Sequence, residues 1–262
     1  MIGEPVDRIL VTPYFIDQPA PAHLRLSTFA AWINQPAITG ATPLERVASI
    51  GEPLAAQVHR VLQAGDRPVS IAGDCCTVIG IMAGLQRSGI SPRLLWLDAH
   101  GDFNTPETSP SGFLGGMPLA MLVGRGDQTT MERLGTRPLP ESDVVLCDAR
   151  DLDPGERQAL DASGVLRLSS IERLQALELA DRPLHVHLDV DIISPLDAPA
   201  MAYAAAGGPR LPEIEAMATW LATAARPVSV SVTTWAFEQD ADRSTERACL
   251  RVLSCLLRSP NS

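Results

Sequence analysis

Two short segments carry the residues that can do chemistry. Leu94-Leu95-Trp96-Leu97-Asp98-Ala99-His100-Gly101-Asp102 runs apolar, then delivers a carboxylate, an imidazole and a second carboxylate, each two residues apart. On a strand, residues i, i+2 and i+4 share a face, so the spacing predicts Asp98, His100 and Asp102 converging at the strand's C-terminal end. Oxygen and nitrogen donors so placed suit a divalent cation of the manganese, iron or zinc type. The alternative is a strand that ends in an ordinary polar turn. Leu184-His185-Val186-His187-Leu188-Asp189-Val190-Asp191 repeats the pattern, with carboxylates at i and i+2 just before Ile192-Ile193-Ser194-Pro195.

If the two tips meet, four carboxylates share one small pocket. Each pair at about 4–5 Å costs roughly 3–4 kcal/mol at an effective dielectric near 20, and the six pairs on the order of 20 kcal/mol. That exceeds the whole stability of a typical domain. Only protonation or bound cations relieve it, and this many oxygens points to two metals rather than one.

The elements that must position these tips read as alternating strands and helices. Expected strands are Arg8–Thr12, Pro68–Ala72, Arg93–Asp98, Asp143–Cys147, Leu184–Asp189 and Pro227–Thr233. Expected helices are Pro43–Leu62, Thr77–Arg87, Met117–Val123, Pro154–Ser163, Ile171–Leu177, Leu211–Ala224 and Ser244–Arg258. The strands are near-continuous apolar runs, as in a parallel sheet covered on both faces. Alternation along the full length predicts an α/β fold, a three-layer α/β/α sandwich on a central, mostly parallel sheet. Ligands of such sheets sit beyond the carboxyl ends of the strands, where the acidic motifs fall.

Bulk properties narrow the function. The 262 residues show no linker, repeat or low-complexity tract, so one domain over residues 1–262 is expected. With 31 acidic against 21 basic residues and a formal charge of −10, nucleic acid and anionic membranes are poor partners. No apolar run approaches a membrane span, and the start, Met1-Ile2-Gly3-Glu4-Pro5, lacks a signal pattern. The cysteines are odd in number and Cys75-Cys76 are adjacent, which fits reduced thiols in a cytoplasm.

These residues resemble the ureohydrolase superfamily, which includes arginase, agmatinase and formimidoylglutamase. Its metal-binding segments read roughly GGDHS, DAHxD and SxDxD. Here they stand as Ala72-Gly73-Asp74-Cys75-Cys76, Asp98-Ala99-His100-Gly101-Asp102 and His187-Leu188-Asp189-Val190-Asp191. The likeness runs from about residue 68 to 240 and is closest to arginases. Asp98 to Pro106 is similar to DAHTDINTP, Ser111 to Pro118 to SGNLHGQP, and Arg150 to Glu156 to RDVDPGE.

The resemblance implies a small guanidino amino acid as partner and two manganese ions as cofactors. Asp98 and Asp189 would bridge the ions, Cys75 and Asp102 would complete one, and His100 and Asp191 the other. Water activated by the cations would attack the guanidinium carbon. Asn104 and Ser111 would hold the substrate α-carboxylate, and Asp153 with Glu156 its ammonium. Asp153 and Glu156 also fit plain N-terminal capping of the helix after Pro154. Arginases commonly form trimers or hexamers, often through C-terminal segments; here a monomer or another assembly is expected.

Three departures matter. Cys75 stands where the family has a metal-binding histidine. Its softer sulfur would hold manganese less well, and as thiolate it would weaken the pull on bound water. Cys75-Cys76 also fit small buried hydrophobes after a strand. Gly115 replaces the histidine credited with proton shuttling, so departure of the amine must rely on Asp102 or water. Thr234 or Trp235 falls where the family has a glutamate that contacts the guanidinium, and Glu238 does not inherit that role. His187 is either a satisfied core histidine or a contributor to the metal shell.

These features resemble the arginase-like Nω-hydroxy-L-arginine amidinohydrolases of D-cycloserine biosynthesis, which share the cysteine. They imply hydrolysis of Nω-hydroxy-L-arginine to hydroxyurea and L-ornithine. The alternatives are an ordinary ureohydrolase acting on arginine or another guanidino acid, and an inactive metal-binding homologue.

Overall fold

The computed structural model describes residues 5–257. Ten strands and seven α-helices are present among them. In chain order they are β1 (Asp7–Thr12), the hairpin β2 (Tyr14–Phe15) and β3 (Gln18–Pro19), β4 (Trp32–Ile33), α1 (Pro43–Gln63), β5 (Arg67–Ala72) and α2 (Thr77–Arg87). There follow β6 (Arg93–Asp98), α3 (Pro118–Leu122), α4 (Thr129–Leu134), β7 (Val144–Asp148), α5 (Pro154–Asp161) and β8 (Leu166–Leu168). The chain continues with β9 (Leu184–Asp189), α6 (Leu211–Trp220), β10 (Ser229–Thr233) and α7 (Ser244–Leu256).

Eight strands form one sheet in the order β4-β1-β5-β10-β9-β6-β7-β8, and every pairing in it is parallel. Parallel neighbours need crossovers, and crossovers are right-handed, so the direction of each step selects a face. Connections stepping from β4 toward β8 carry α1 to α5 on one face, around Leu54, Val58, Ile79, Met82, Leu119 and Met131. The return steps through β9 and β10 carry α6 and α7 on the other, around Ile214, Met217, Ala248 and Val252. The result is the expected three-layer α/β/α sandwich.

Strand parity sets up the site. On β6, Leu95 and Leu97 enter the α6–α7 layer while Leu94 and Trp96 face the other layer. On β9, Val186 and Leu188 enter the α6–α7 layer, which turns His185, His187 and Asp189 to the opposite face. Trp96 pairs with His187 in register, so Asp98 and Asp189, each two residues on, end side by side.

Several boundaries differ from expectation. The helix expected at Met117–Val123 is α3, one residue shorter at each end and preceded by a 3-10 turn at Leu114–Gly116, whereas Ile171–Ala176 is 3-10 rather than α. The helix expected to Ala224 changes to a π turn at Leu221–Ala225. The expected helix end at Arg258, like the leader reading over Met1–Glu4, lies outside the described residues. No helix among the described residues is long and apolar enough to cross a membrane, and all five cysteines are free.

Candidate metal centre

β6, β9, β10 and the turn after β5 bring their tips together on one end of the sheet. Asp98 closes β6 and is nearly inaccessible at 1% exposure. Its Oδ1 accepts the His100 N–H at 2.7 Å and its Oδ2 accepts the indole N–H of Trp96 at 3.0 Å. Asp189 closes β9, and its Oδ1 accepts the Asp191 N–H at 2.9 Å and the Thr234 hydroxyl. Cys75 follows β5; its Sγ lies 2.9 Å from Asp189 Oδ2 and 3.1 Å from Thr233 Oγ1.

The expected i, i+2, i+4 alternation of Asp98, His100 and Asp102 is corrected here. The strand ends at Asp98, and the following turn carries Asp102 in a left-handed conformation (φ 48°). His100 and Asp102 reach the site through that turn. Asp148 (φ 80°), Ala149 (φ 47°) and Thr234 (φ 64°) are also left-handed at neighbouring strand tips. Such backbone costs of order 1–3 kcal/mol per residue and concentrates at functional sites.

Two donor groups emerge. Cys75, Asp98, His187 and Asp189 offer one ligand atom each, all within 4.8 Å of one another; Asp98, His100 and Asp191 form a second such set. His100 Nδ1 lies 2.9 Å from Asp191 Oδ2 and 3.5 Å from Asp98 Oδ1. Asp98 belongs to both sets. Asp102 is in neither, although it is buried beside them with Oδ2 lacking a hydrogen-bond partner among the described residues.

Crowding shows in the proton affinities. Burial, then repulsion from Asp191, pushes the Asp98 carboxyl up; burial with Asp98 and Asp189 does the same for Asp102, and burial with Asp191 and Asp98 for Asp189. The Cys75 thiol is raised by burial and by Asp189, Asp102 and Asp98. Burial alone would lower His100, but its hydrogen bonds to Asp191 and Asp98 outweigh that and raise it. Positive charge at this point would stabilise every one of the anions. With the orphaned Asp102 Oδ2 and His187 Nε2, the donor set fits divalent cations.

Above this floor lies a cleft of about 200 Å3 lined by His100, Asp102, Asn104, Ser111, Asp153, Glu156, Asp189, Asp191 and Thr234 among others. Asn104 Nδ2 donates to Asp153 Oδ2 at 3.0 Å. Glu156 accepts the Phe103 N–H at 2.8 Å and the Asp153 N–H at 3.3 Å, so both its oxygens are occupied within the fold. Gly101 permits this, since a Cβ there would stand 2.6 Å from Glu156 Oε1. Ser111 is exposed at the rim, and its Oγ accepts the Phe113 N–H at 3.2 Å.

Sequence reasoning missed several participants. Trp96 was readable as a same-face neighbour two residues before Asp98. Nothing local marks Phe15, Phe113 and Tyr203, whose rings gather at the cleft with centroids 4.9–6.5 Å apart. Arg150, which donates to the Asp191 carbonyl at 3.0 Å, braces the turn after β9. Trp235 is buried against Phe237, while Thr234 lines the cleft. Glu238 is exposed and outside it.

A sequence model of the arginase family matches residues 33–258. The arginase of Bacillus subtilis is 35% identical over 191 residues, which cover 67% of this chain and 64% of that protein. The match therefore spans less than two thirds of that relative's length. A crystal structure of Bacillus subtilis arginase superposes with a TM-score of 0.80 at 26% identity, covering 99% of this chain and 100% of that one. Arginase from Bacillus cereus shares the fold at TM-score 0.83 and 23% identity, over 98% and 100% of the two chains.

Proposed function

The chain belongs to the arginase family, and on that premise we propose that it is a metal-dependent hydrolase cleaving the guanidino group of an arginine-like amino acid. The observation that carries this is the pair of donor sets sharing Asp98 at the floor of a cleft. Asp98 and Asp189 would lie between two divalent cations, manganese by family likeness. Cys75 and Asp102 would serve one, His100 and Asp191 the other. When bound, the cations supply Lewis acidity and ease deprotonation of water at the guanidino carbon.

The remaining work falls to side chains. Asp102 Oδ2, buried and unpartnered, is the group available to receive a proton and pass it to the departing amine, because Gly115 cannot. Asn104 and Ser111 would orient the α-carboxylate, and Asp153 with Glu156 the ammonium. Since Glu156 already spends both oxygens on backbone N–H groups, Asp153 carries more of that contact. The Phe15, Phe113 and Tyr203 rings narrow the mouth and limit water.

Within this class the reading favours Nω-hydroxy-L-arginine, with water giving hydroxyurea and L-ornithine. Thr234 offers a hydroxyl already committed to Asp189 Oδ1, and it brings no carboxylate of its own, beyond those given to the cations, to pair a guanidinium cation. A less basic hydroxyguanidine, which supplies a neutral and more electrophilic form near neutral pH, tolerates that loss. Purified protein with manganese is expected to release hydroxyurea from hydroxyarginine much faster than urea from arginine. Equal or reversed rates discard the hydroxyarginine assignment. Absence of turnover on all guanidino compounds at full metal occupancy discards the hydrolase and leaves a metal-binding homologue.

A further inference from the structure

His185 and His187 face the same side of β9, yet their ring nitrogens are served differently. His185 is satisfied at both: Nδ1 lies 2.7 Å from Ser229 Oγ and Nε2 3.0 Å from Ser231 Oγ. His187 has Nδ1 2.9 Å from Ser231 Oγ, while its Nε2 is buried with no hydrogen-bond partner among the described residues. Leaving such a nitrogen unmet costs about 1–3 kcal/mol. Its surroundings are not apolar. A ring nitrogen of His187, Cys75 Sγ and one oxygen each of Asp98 and Asp189 lie within 4.8 Å of one another.

We propose that His187, rather than Asp102, is the metal ligand that closes with Cys75, Asp98 and Asp189 a site of one sulfur, one nitrogen and two oxygens, which takes a zinc-class cation in preference to manganese and leaves Asp102 to its proton-carrying role. The proposal rests on the metal-centre reading above and not on the identity of the substrate. Four donors of this mixture suit zinc, whereas manganese favours oxygen-rich shells. The set Asp98, His100 and Asp191 has only oxygen and nitrogen donors, so the two halves differ in the cation they prefer. The family's segment has serine where His187 stands and histidine where Cys75 stands; here the imidazole reaches the same half-site from β9.

The supporting residues are those a ligand requires. In the tautomer a ligand needs, His187 Nδ1–H donates to Ser231 Oγ, 2.9 Å away, and the Nε2 lone pair is left for a cation. Ser231 is itself held by His185, and the cross-strand pairs Ser229 with His185 and Ser231 with His187 keep this chain in register. The Trp96 ring, centroid 3.9 Å from that of His187, fixes the imidazole laterally. Thr233 Oγ1 holds Cys75 Sγ, and the Cys75 thiol yields its proton to solvent when the cation binds.

The test is equilibrium dialysis of the full chain and of His187→Gln against zinc, cobalt(II) and manganese, with metal content measured. Gln keeps an amide able to bond Ser231. The wild-type protein is expected to take zinc over manganese at one of two sites, and cobalt at that site to show thiolate-to-metal charge-transfer absorption. His187→Gln is expected to weaken zinc there by more than roughly 100-fold, beyond the 10–100-fold that loss of a merely supporting residue costs. Manganese binding at the other half should persist, which also reports that the variant is folded. A smaller drop, or an equal loss at both halves, overturns the role of His187 and leaves the hydrolase reading standing. A wild-type protein that binds no divalent cation overturns both. Should the variant not fold, X-ray absorption at the zinc edge of wild-type protein with one equivalent of zinc decides. One sulfur at about 2.3 Å together with an imidazole nitrogen is expected, and sulfur without imidazole, or no sulfur, overturns the proposal.

Discussion

The indole N–H of Trp96 donates to Asp98 Oδ2 at 3.0 Å, from two residues earlier on the same strand face. Asp98 is common to both donor sets, so one tryptophan orients the carboxylate that both sets share.

Trp96→Phe removes that donor and keeps a ring against His187. Divalent-cation affinity is expected to fall roughly 10–100-fold, while metal-free stability drops by about 1–3 kcal/mol as Asp98 Oδ2 loses its donor and a fully buried indole shrinks to phenyl. Calorimetric titration and thermal melts separate the two effects. Unchanged affinity would mean that the backbone N–H of His100 alone suffices to hold Asp98.

A Cβ on Gly115 would stand 2.4 Å from Phe113 Cε1, so Phe113 occupies the room a larger residue at 115 needs. Gly115→His alone is expected to lose about 1–3 kcal/mol through overpacking. Phe113→Asn combined with Gly115→His should recover most of it and raise turnover of arginine relative to hydroxyarginine. A double-mutant cycle on unfolding free energies reads the coupling; additive losses would refute the steric explanation.

His185 supplies a pH dependence. Burial pushes its imidazole from 6.5 down to about 3. Above pH 6.5 both folded and unfolded chains hold it neutral and it contributes nothing to the slope. As pH falls from 6.5 toward 3, the unfolded chain gains a proton that the folded one refuses. Stability is then lost at about 1.4 kcal/mol per pH unit, roughly 2 kcal/mol by pH 5. Denaturant melts of metal-free wild type and His185→Gln at pH 7 and pH 5 test this. The variant should lack that component, and identical slopes in both proteins would contradict it.

Much of the scaffold was legible because buried parallel strands must be apolar on both faces. Arg93–Asp98 and Leu184–Asp189 lie as expected for that reason. The two-residue β4 and three-residue β8 are too short to leave a pattern. The 3-10 turn at Ile171–Ala176 shares its apolar spacing with an α-helix and could not be told from one.

Residue identity and local spacing by themselves determined which donors this protein owns: carboxylates at 98, 102, 189 and 191, an imidazole at 100 and a thiol at 75. Only the tertiary structure decided which of them meet. The strand order sets β10 between β5 and β9, and the registers of those pairs bring His187 to Cys75. Such juxtapositions depend on pairing between distant segments, and a hydrophobic pattern read along one segment carries no information about its neighbour in the sheet.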